Sequence, residues 1–322
     1  MSTQSNDQGR AYEFAWINAL YAALSQRRRT RIVANSSLDA NRRAWEMMDN
    51  RMRHVFEVSA GAAINSLLEL EPLMIESDGN DELTLQFQND IAGTQGDVRD
   101  VLIKRDAIRW EIGLSIKHNH EAIKHSRLSH RIDFGREWYN IPCGEEYWTR
   151  VNPIFSFLMT EKERGTNWSS IPGKSDIVYV PLLEAFISEV RRAYSLDHGL
   201  PQKMVEYLIG NEDYYKIISH DREFMTAIKT FNLHGTLNQA GHINISSICV
   251  PTVALPDELI ELRFKTASTN TVEMYLNNGW QLSFRIHNAS TKVEPSLKFD
   301  VQFIGMPVSI LTIECRWREY PV

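Results

Sequence analysis

Cysteine is scarce in this chain: three residues, Cys143, Cys249 and Cys315, among 322. An odd, widely spaced set excludes a disulfide framework and a structural zinc site, and each thiol is expected buried or half-buried. No uninterrupted apolar run reaches the roughly 18–20 residues that span a bilayer, so no membrane segment is expected. Residues 1–9 are polar, with no basic segment leading into an apolar one, and the expected location is the cytoplasm. Excess positive charge is missing too. Lys and Arg number 35 against 41 Asp and Glu, a net charge of −6. That balance argues against a protein that coats nucleic acid by bulk charge, but not against one with a local basic face. Internal repeats and low-complexity tracts are also absent.

What remains is an ordinary globular composition, 43% hydrophobic and 24% charged, in a chain long enough for one large or two moderate domains. Residues 9–26 carry helical apolar spacing through Tyr12, Ala15, Trp16, Ala19, Leu20 and Ala23. A basic stretch over 27–41 reads as a loop that could meet phosphates. A longer helix is expected over 38–70, stopped at Glu71-Pro72 because proline disfavours helix in the residue before it. Strands are expected at 83–91, 98–103 and 108–117, with a short polar link at 104–107. Asn119 suits the N-cap of a short helix over 121–128. Residues 145–163, 176–194 and 202–209 read as helices. Strand candidates follow at 216–219, 224–231, 243–253, 261–265, 271–276, 281–287, 297–304 and 310–317. Asn277-Asn278-Gly279 is a hairpin signal between two of them. The expected class is α/β of the α+β kind. A change of character near Glu212 divides a helix-rich part, residues 1–211, from a β-rich part, residues 212–322.

Chemistry gathers in one stretch. An acidic strand entry, Gly96-Asp97-Val98-Arg99-Asp100-Val101-Leu102-Ile103, is followed by a strand ending in Lys117. Metal-dependent phosphodiester hydrolysis needs this pairing: carboxylates hold Mg²⁺, and a lysine offsets charge or orients water. Alternation puts Arg109, Glu111, Gly113, Ser115 and Lys117 on one face, with Trp110, Ile112, Leu114 and Ile116 on the core side. Glu111 lies on the correct face. Six residues at about 3.3 Å each nevertheless place it about 20 Å from Lys117, too far to share an ion. Lys, Arg and His are enriched from Arg99 to Arg136.

The run Gly113-Leu-Ser-Ile-Lys-His-Asn-His-Glu-Ala-Ile-Lys-His-Ser-Arg-Leu-Ser129 resembles restriction endonucleases of the HaeIII type, a branch of the P-D…(D/E)-x-K nuclease superfamily. Residues 213–216, 231–237 and 279–300 extend the likeness, which reaches from about Gly9 to the C-terminus. It implies a restriction-endonuclease-like core, a mixed central sheet flanked by helices. It also implies a Mg²⁺-dependent type II endonuclease that cuts double-stranded DNA at a short palindrome, GGCC, leaving 5′-phosphates. The family places its metal-binding aspartate just before an apolar strand, which is Asp100 here, with Asp97 the alternative. Where the superfamily pattern has an acid two positions before the lysine, this chain has Ser115. The missing carboxylate then comes from Glu121 or from Glu13, since Gly9-Arg-Ala-Tyr-Glu13 is similar to the first-helix Gly-x-x-x-Glu of many members of the superfamily. The ordinary alternatives are a glutamate at a positive helix end for Glu121 and an exposed helix glutamate for Glu13. His118, His120, His125 and His130 are expected to face solvent or DNA rather than a metal.

For DNA reading, Leu282, Phe284 and Ile286 point one way along their strand, and Ser283, Arg285 and His287 the other. Every base pair of GGCC contains a guanine, so arginine and lysine are the expected readers. Arg263, Lys265, Arg285 and Lys292 are the candidates, with His287, Asn288, Arg127 and Lys124 as further contacts. The implied partners are double-stranded DNA and a cognate methyltransferase. A palindrome invites a two-fold homodimer, and a monomer cutting the strands in turn is the alternative. Two rival readings are a repair or mobile-element nuclease on the same core, and a DNA-binding regulator with a decayed site, which Ser115 favours.

Overall fold

Seven strands make the sheet that carries the Asp100–Lys117 segment. In spatial order they are β1 (Thr30–Ile32), β2 (Leu83–Phe87), β3 (Val101–Arg105), β4 (Trp110–His118), β6 (Tyr214–His220), β7 (Met225–Phe231) and β12 (Thr312–Arg316). The β1–β2 and β4–β6 pairs are parallel and the others antiparallel, so the sheet is mixed. The computed structural model describes residues 2–77, 79–89, 97–120, 123–239 and 246–319. Two compact units share the chain: residues 1–121, 211–253 and 308–322 form the first, and residues 122–210 and 254–307 the second.

In the first unit, helices α1 (Ser2–Ser25), α2 (Ser36–Met47) and α3 (Asn50–Leu70) accompany the sheet. Tyr12, Trp16 and Leu20 of α1 and Phe56, Ala60 and Leu67 of α3 join Trp110, Ile112, Leu114 and Ile116 of β4 in one buried cluster. Each large apolar side chain buried there contributes about 1.5–3 kcal/mol. The period-2 alternation on β4 thus meets the 3.6-residue alternation of two helices. The helix expected over 38–70 is two helices. Asp49 accepts a hydrogen bond from Met52 N (2.8 Å) and so caps α3, ending the pattern that apolar spacing alone would continue. Part of the stretch read as a loop is instead β1, whose ladder partner is β2.

The second unit holds a five-stranded antiparallel sheet in the order β5 (Lys124–Ser129), β11 (Ser296–Gly305), β10 (Gln281–His287), β9 (Thr271–Leu276) and β8 (Leu259–Phe264). Its helices are α4 (Phe134–Tyr139), α5 (Glu145–Glu163), α6 (Val180–Leu196) and α7 (Leu200–Ile209). Leu282, Phe284, Ile286, Leu297, Phe299 and Val301 are buried. Trp138 of α4 stacks on Phe284 and Phe299, and Phe186 of α6 meets Phe299 edge-on. Asn278 and Gly279 (φ 57° and 87°) make the left-handed turn between β9 and β10 that their types favour. Of the helix expected over 121–128, residues 121 and 122 lie outside the described set, and residues 123–128 do not form it. Residues 124–129 are β5, where buried Ser126 and Leu128 alternate with exposed Arg127 against β11. Cross-strand pairing overrides the local N-cap signal, and Asn119 (φ 51°) is a turn residue. Of the strand expected at 243–253, residues 246–253 are irregular and residues 243–245 lie outside the described set. Cys143 and Cys315 are buried, whereas Cys249 is exposed.

The α+β expectation holds, with a mixed sheet and flanking helices. Among the described residues no helix is long and apolar enough to cross a membrane.

Candidate active site

The β3–β4 hairpin opens at its outer end, and the opening makes the site. The ladder pairs Val101 with Leu114. Asp100, the residue before β3, still donates its N–H to the Leu114 carbonyl (2.7 Å) and accepts at its own carbonyl from Gln88 N (2.9 Å). Beyond that point the chain bends away, and the next N–H on that edge of β4, that of Ile116, has lost its ladder partner. The Asp100 carboxylate replaces it: Oδ2 accepts from Ile116 N at 2.6 Å and from Lys117 Nζ at 2.8 Å. The Asp100 and Lys117 side chains are 21% and 33% exposed, so the pair is open to a ligand and yet partly desolvated. On its other edge β4 runs parallel to β6, with Ser115 opposite Lys216 and Lys117 opposite Ile218. Ser115 itself is buried.

Glu13 approaches from α1. Its Oε2 accepts a hydrogen bond from Asn41 Nδ2 (2.8 Å) on α2. Burial, and then the neighbouring Asp100 charge, push the Glu13 carboxyl up to about 8, against the pull of Lys117, Asn41 and Arg10. Burial draws the Lys117 ammonium down, but Asp100 and Glu13 outweigh it and hold the lysine above its ordinary value. The three groups are one electrostatic unit: two acids that repel, with a cation between their fields. Such a donor set suits Mg²⁺, which takes one or two carboxylates and completes its shell with water and phosphate oxygens. Among the described residues no group of three or more His, Cys, Asp or Glu is placed to hold a metal ion by itself. Glu121 lies outside the described residues.

Asp97 is engaged elsewhere. Both its oxygens accept from the Arg99 guanidinium (2.8 Å each), and Oδ2 also accepts from Gln88 Nε2 (2.7 Å). Burial raises the Asp97 carboxyl, yet Arg99 holds it below the usual range. Arg99 reaches on to Glu111 Oε1 (2.8 Å), whose other oxygen binds Lys104 Nζ (2.7 Å). Glu111 is thus an anchor for Arg99 and stays away from Lys117. Gly113 allows that crossing, since a Cβ there would lie 2.0 Å from Arg99 Cδ. Beside the lysine, His118 Nε2 pairs with Asp221 Oδ2 (2.7 Å), and its ring packs on Tyr12 and Phe56. His118 is thus packed among aromatic rings with its Nε2 engaged, rather than turned to solvent. His130 accepts at Nε2 from Arg131 (3.2 Å).

The candidate DNA contacts all belong to the second unit. Residues directly opposite in an antiparallel ladder share a face. The outward face therefore carries Arg127, Lys298 and His287 in one row, and Asp300 and Arg285 in the next. Arg285 is exposed, and no hydrogen bond or ion pair engages its side chain or that of Lys298 among the described residues. His287 is bound to Asp300 (2.6 Å), and Arg263 to Glu261 (3.0 Å). Lys265 is exposed beyond β8. Asn288 and the exposed Lys292 lie in the loop after β10, which is tied to residues 166–168 through Val293 N–Thr166 O and Trp168 N–Thr291 O. Lys124 lies in β5, but its side chain is outside the described set. The sequence reading missed Lys298 and Asn41. The first was legible from the same alternation that exposes Arg285; the second had no local signal.

A family model described as HaeIII restriction endonuclease matches residues 9–307, spanning both units. The type II restriction enzyme HaeIII of Haemophilus aegyptius is 47% identical over 320 residues, covering 99% of this chain and all of that one. No solved structure matches. On this evidence the chain belongs to the HaeIII restriction endonuclease family, enzymes that cleave DNA at specific sites.

Proposed function

We propose that this protein hydrolyses double-stranded DNA in a Mg²⁺-dependent reaction at a short palindrome, GGCC, leaving 5′-phosphates. The observation that carries the reading is the 2.8 Å contact between Asp100 and Lys117 at the open end of the hairpin. Family membership supplies the substrate class.

In this reading Asp100 and Glu13 hold the ion, with Glu121 the alternative second acid. Bound there, Mg²⁺ would polarise the phosphate and ease deprotonation of a water. Lys117, held protonated by its two acids, keeps a positive charge beside the scissile phosphate and offsets the negative charge that builds up in the transition state. An ammonium orients water rather than deprotonating it. Asp100 fixes the direction of that ammonium. Ser115 fills the position of the pattern's acid and, being buried, serves to pack the strand rather than to bind the ion.

Catalysis is assigned to the first unit, in the helix-rich part of the chain, and base reading to the outward face of the second, mostly in the β-rich part. Arg285 is the foremost guanine reader, with Lys292, Lys265 and Arg263 beside it; Arg127, His287, Asn288 and Lys124 serve the backbone. A two-fold homodimer suits a palindrome, and sedimentation with a cognate duplex separates it from a monomer that cuts the strands in turn. A methyltransferase of the same specificity is the functional partner, and the cytoplasm the location. Plasmid digestion with Mg²⁺, followed by mapping of the ends, should yield discrete fragments cut within GGCC. Lys117→Ala should cut at least about a hundredfold more slowly and still shift a GGCC duplex in a gel. Wild-type cutting by that variant would refute the site.

A further inference from the structure

We infer that Asn41 is a positioning residue for the metal site, orienting Glu13 so that one carboxylate oxygen stays available to an ion shared with Asp100. The inference deepens the reading above and rests on Glu13 and Asp100 being the ligands.

Asn41 is 3% exposed, on the face of α2 that also buries Leu38 and Ala44. A buried amide is costly unless it is hydrogen-bonded. Asn41 meets that need at the site itself: Nδ2 donates to Glu13 Oε2 at 2.8 Å. Glu13 Oε1 accepts no hydrogen bond among the described residues. One oxygen is tied down and the other is left for a ligand.

The helix that carries Asn41 is itself tied to the sheet. Asn35 caps α2 by accepting from Leu38 N (2.8 Å), and its Nδ2 donates to the Phe87 carbonyl at the end of β2 (2.9 Å). The next residue, Gln88, donates its N–H to the Asp100 carbonyl (2.9 Å). The end of β2 is thus a common reference for both acids. One path runs directly to Asp100; the other passes through Asn35, the first half of α2 and Asn41 to Glu13. Partners of this outer kind set the orientation of metal-binding carboxylates, and losing one costs about 10–100-fold in metal affinity or activity.

The test measures Mn²⁺ binding to the DNA-free protein by electron paramagnetic resonance, beside single-turnover cleavage with Mg²⁺. Asn41→Ala is expected to weaken Mn²⁺ about 10–100-fold and to raise the Mg²⁺ concentration for half-maximal cleavage in step. Asn41→Leu, which keeps the volume and removes the donor, should do the same and guards against a variant that fails to fold. In a Glu13→Gln background, Asn41→Ala should add little, because the two residues act as a unit. Wild-type Mn²⁺ affinity in both Asn41 variants, beside a weakened Glu13→Gln, would overturn the inference alone. Wild-type affinity in Glu13→Gln would overturn the ligand reading and the inference with it.

Discussion

Replacing Glu71 by glutamine should stabilise the protein at pH 8 far more than at pH 5. Glu71 follows the last residue of α3 and is fully buried. Its Oε1 accepts from the Tyr215 hydroxyl and from Asn238 N, both at 2.6 Å, while Oε2 has no partner among the described residues. Burial outweighs these two donors and pushes the carboxyl from 4.5 up to about 7. Between those values the folded protein keeps a proton that the unfolded chain has released. Stability therefore falls as pH rises through the window and levels off above it. At roughly 1.36 kcal/mol per pKa unit the whole rise amounts to about 3.4 kcal/mol, of which about 2.5 kcal/mol accrues between pH 5 and pH 8. Glutamine keeps the accepting oxygen and cannot ionise. Urea denaturation of both proteins at the two pH values isolates this group, since every other titration is common to both. The stability difference, variant minus wild type, should grow by about 2.5 kcal/mol from pH 5 to pH 8. A difference that stays constant with pH would refute the reasoning.

Gly113→Ala places a methyl group 2.0 Å from Arg99 Cδ and 2.5 Å from Cγ, on a side chain pinned by Asp97 and Glu111. It should cost about 1–3 kcal/mol and slow cutting by loosening the segment that presents Asp100; the stability cost should shrink in an Arg99→Ala background, as chemical denaturation of the four proteins will show. Arg285→Ala should cost about 1–3 kcal/mol of binding and relax discrimination among related sites. Lys298→Ala should weaken all duplexes alike and lower the salt slope of binding by about 1, which fluorescence anisotropy at several salt concentrations can separate.

How much of the site could be read from the chain depends on the range of each contact. Asp100 and Lys117 belong to one hairpin, and alternation along a strand is a local signal, so their common end was legible. The same alternation excluded Glu111, which the fold uses to hold Arg99. Asn41 meets Glu13 across two helices, and nothing in the apolar spacing of either announces that meeting. The β5 strand was hidden for the same reason. Its partner β11 lies about 170 residues later, and only that pairing turns a helix-like run into a strand. Gly113 offered a hint, since a glycine inside a strand marks a close approach by another group, here the stem of Arg99.

The Asp100–Lys117 contact is therefore a property of register more than of residue type. Asp100 holds Lys117 because the ladder stops at Leu114 and leaves the Ile116 N–H for a side chain to satisfy. A one-residue slip of β4 would turn Lys117 onto the face now packed by Trp110, Ile112, Leu114 and Ile116, burying a charge and exposing the core. The apolar face thus fixes the position of Lys117, and the site keeps its geometry at the cost of that core alone. Where the pattern's second acid would stand, buried Ser115 supports the same register without adding a charge that the strand would have to desolvate. Glu13 can then supply the second carboxylate from a helix, held by Asn41 and independent of the strand's alternation.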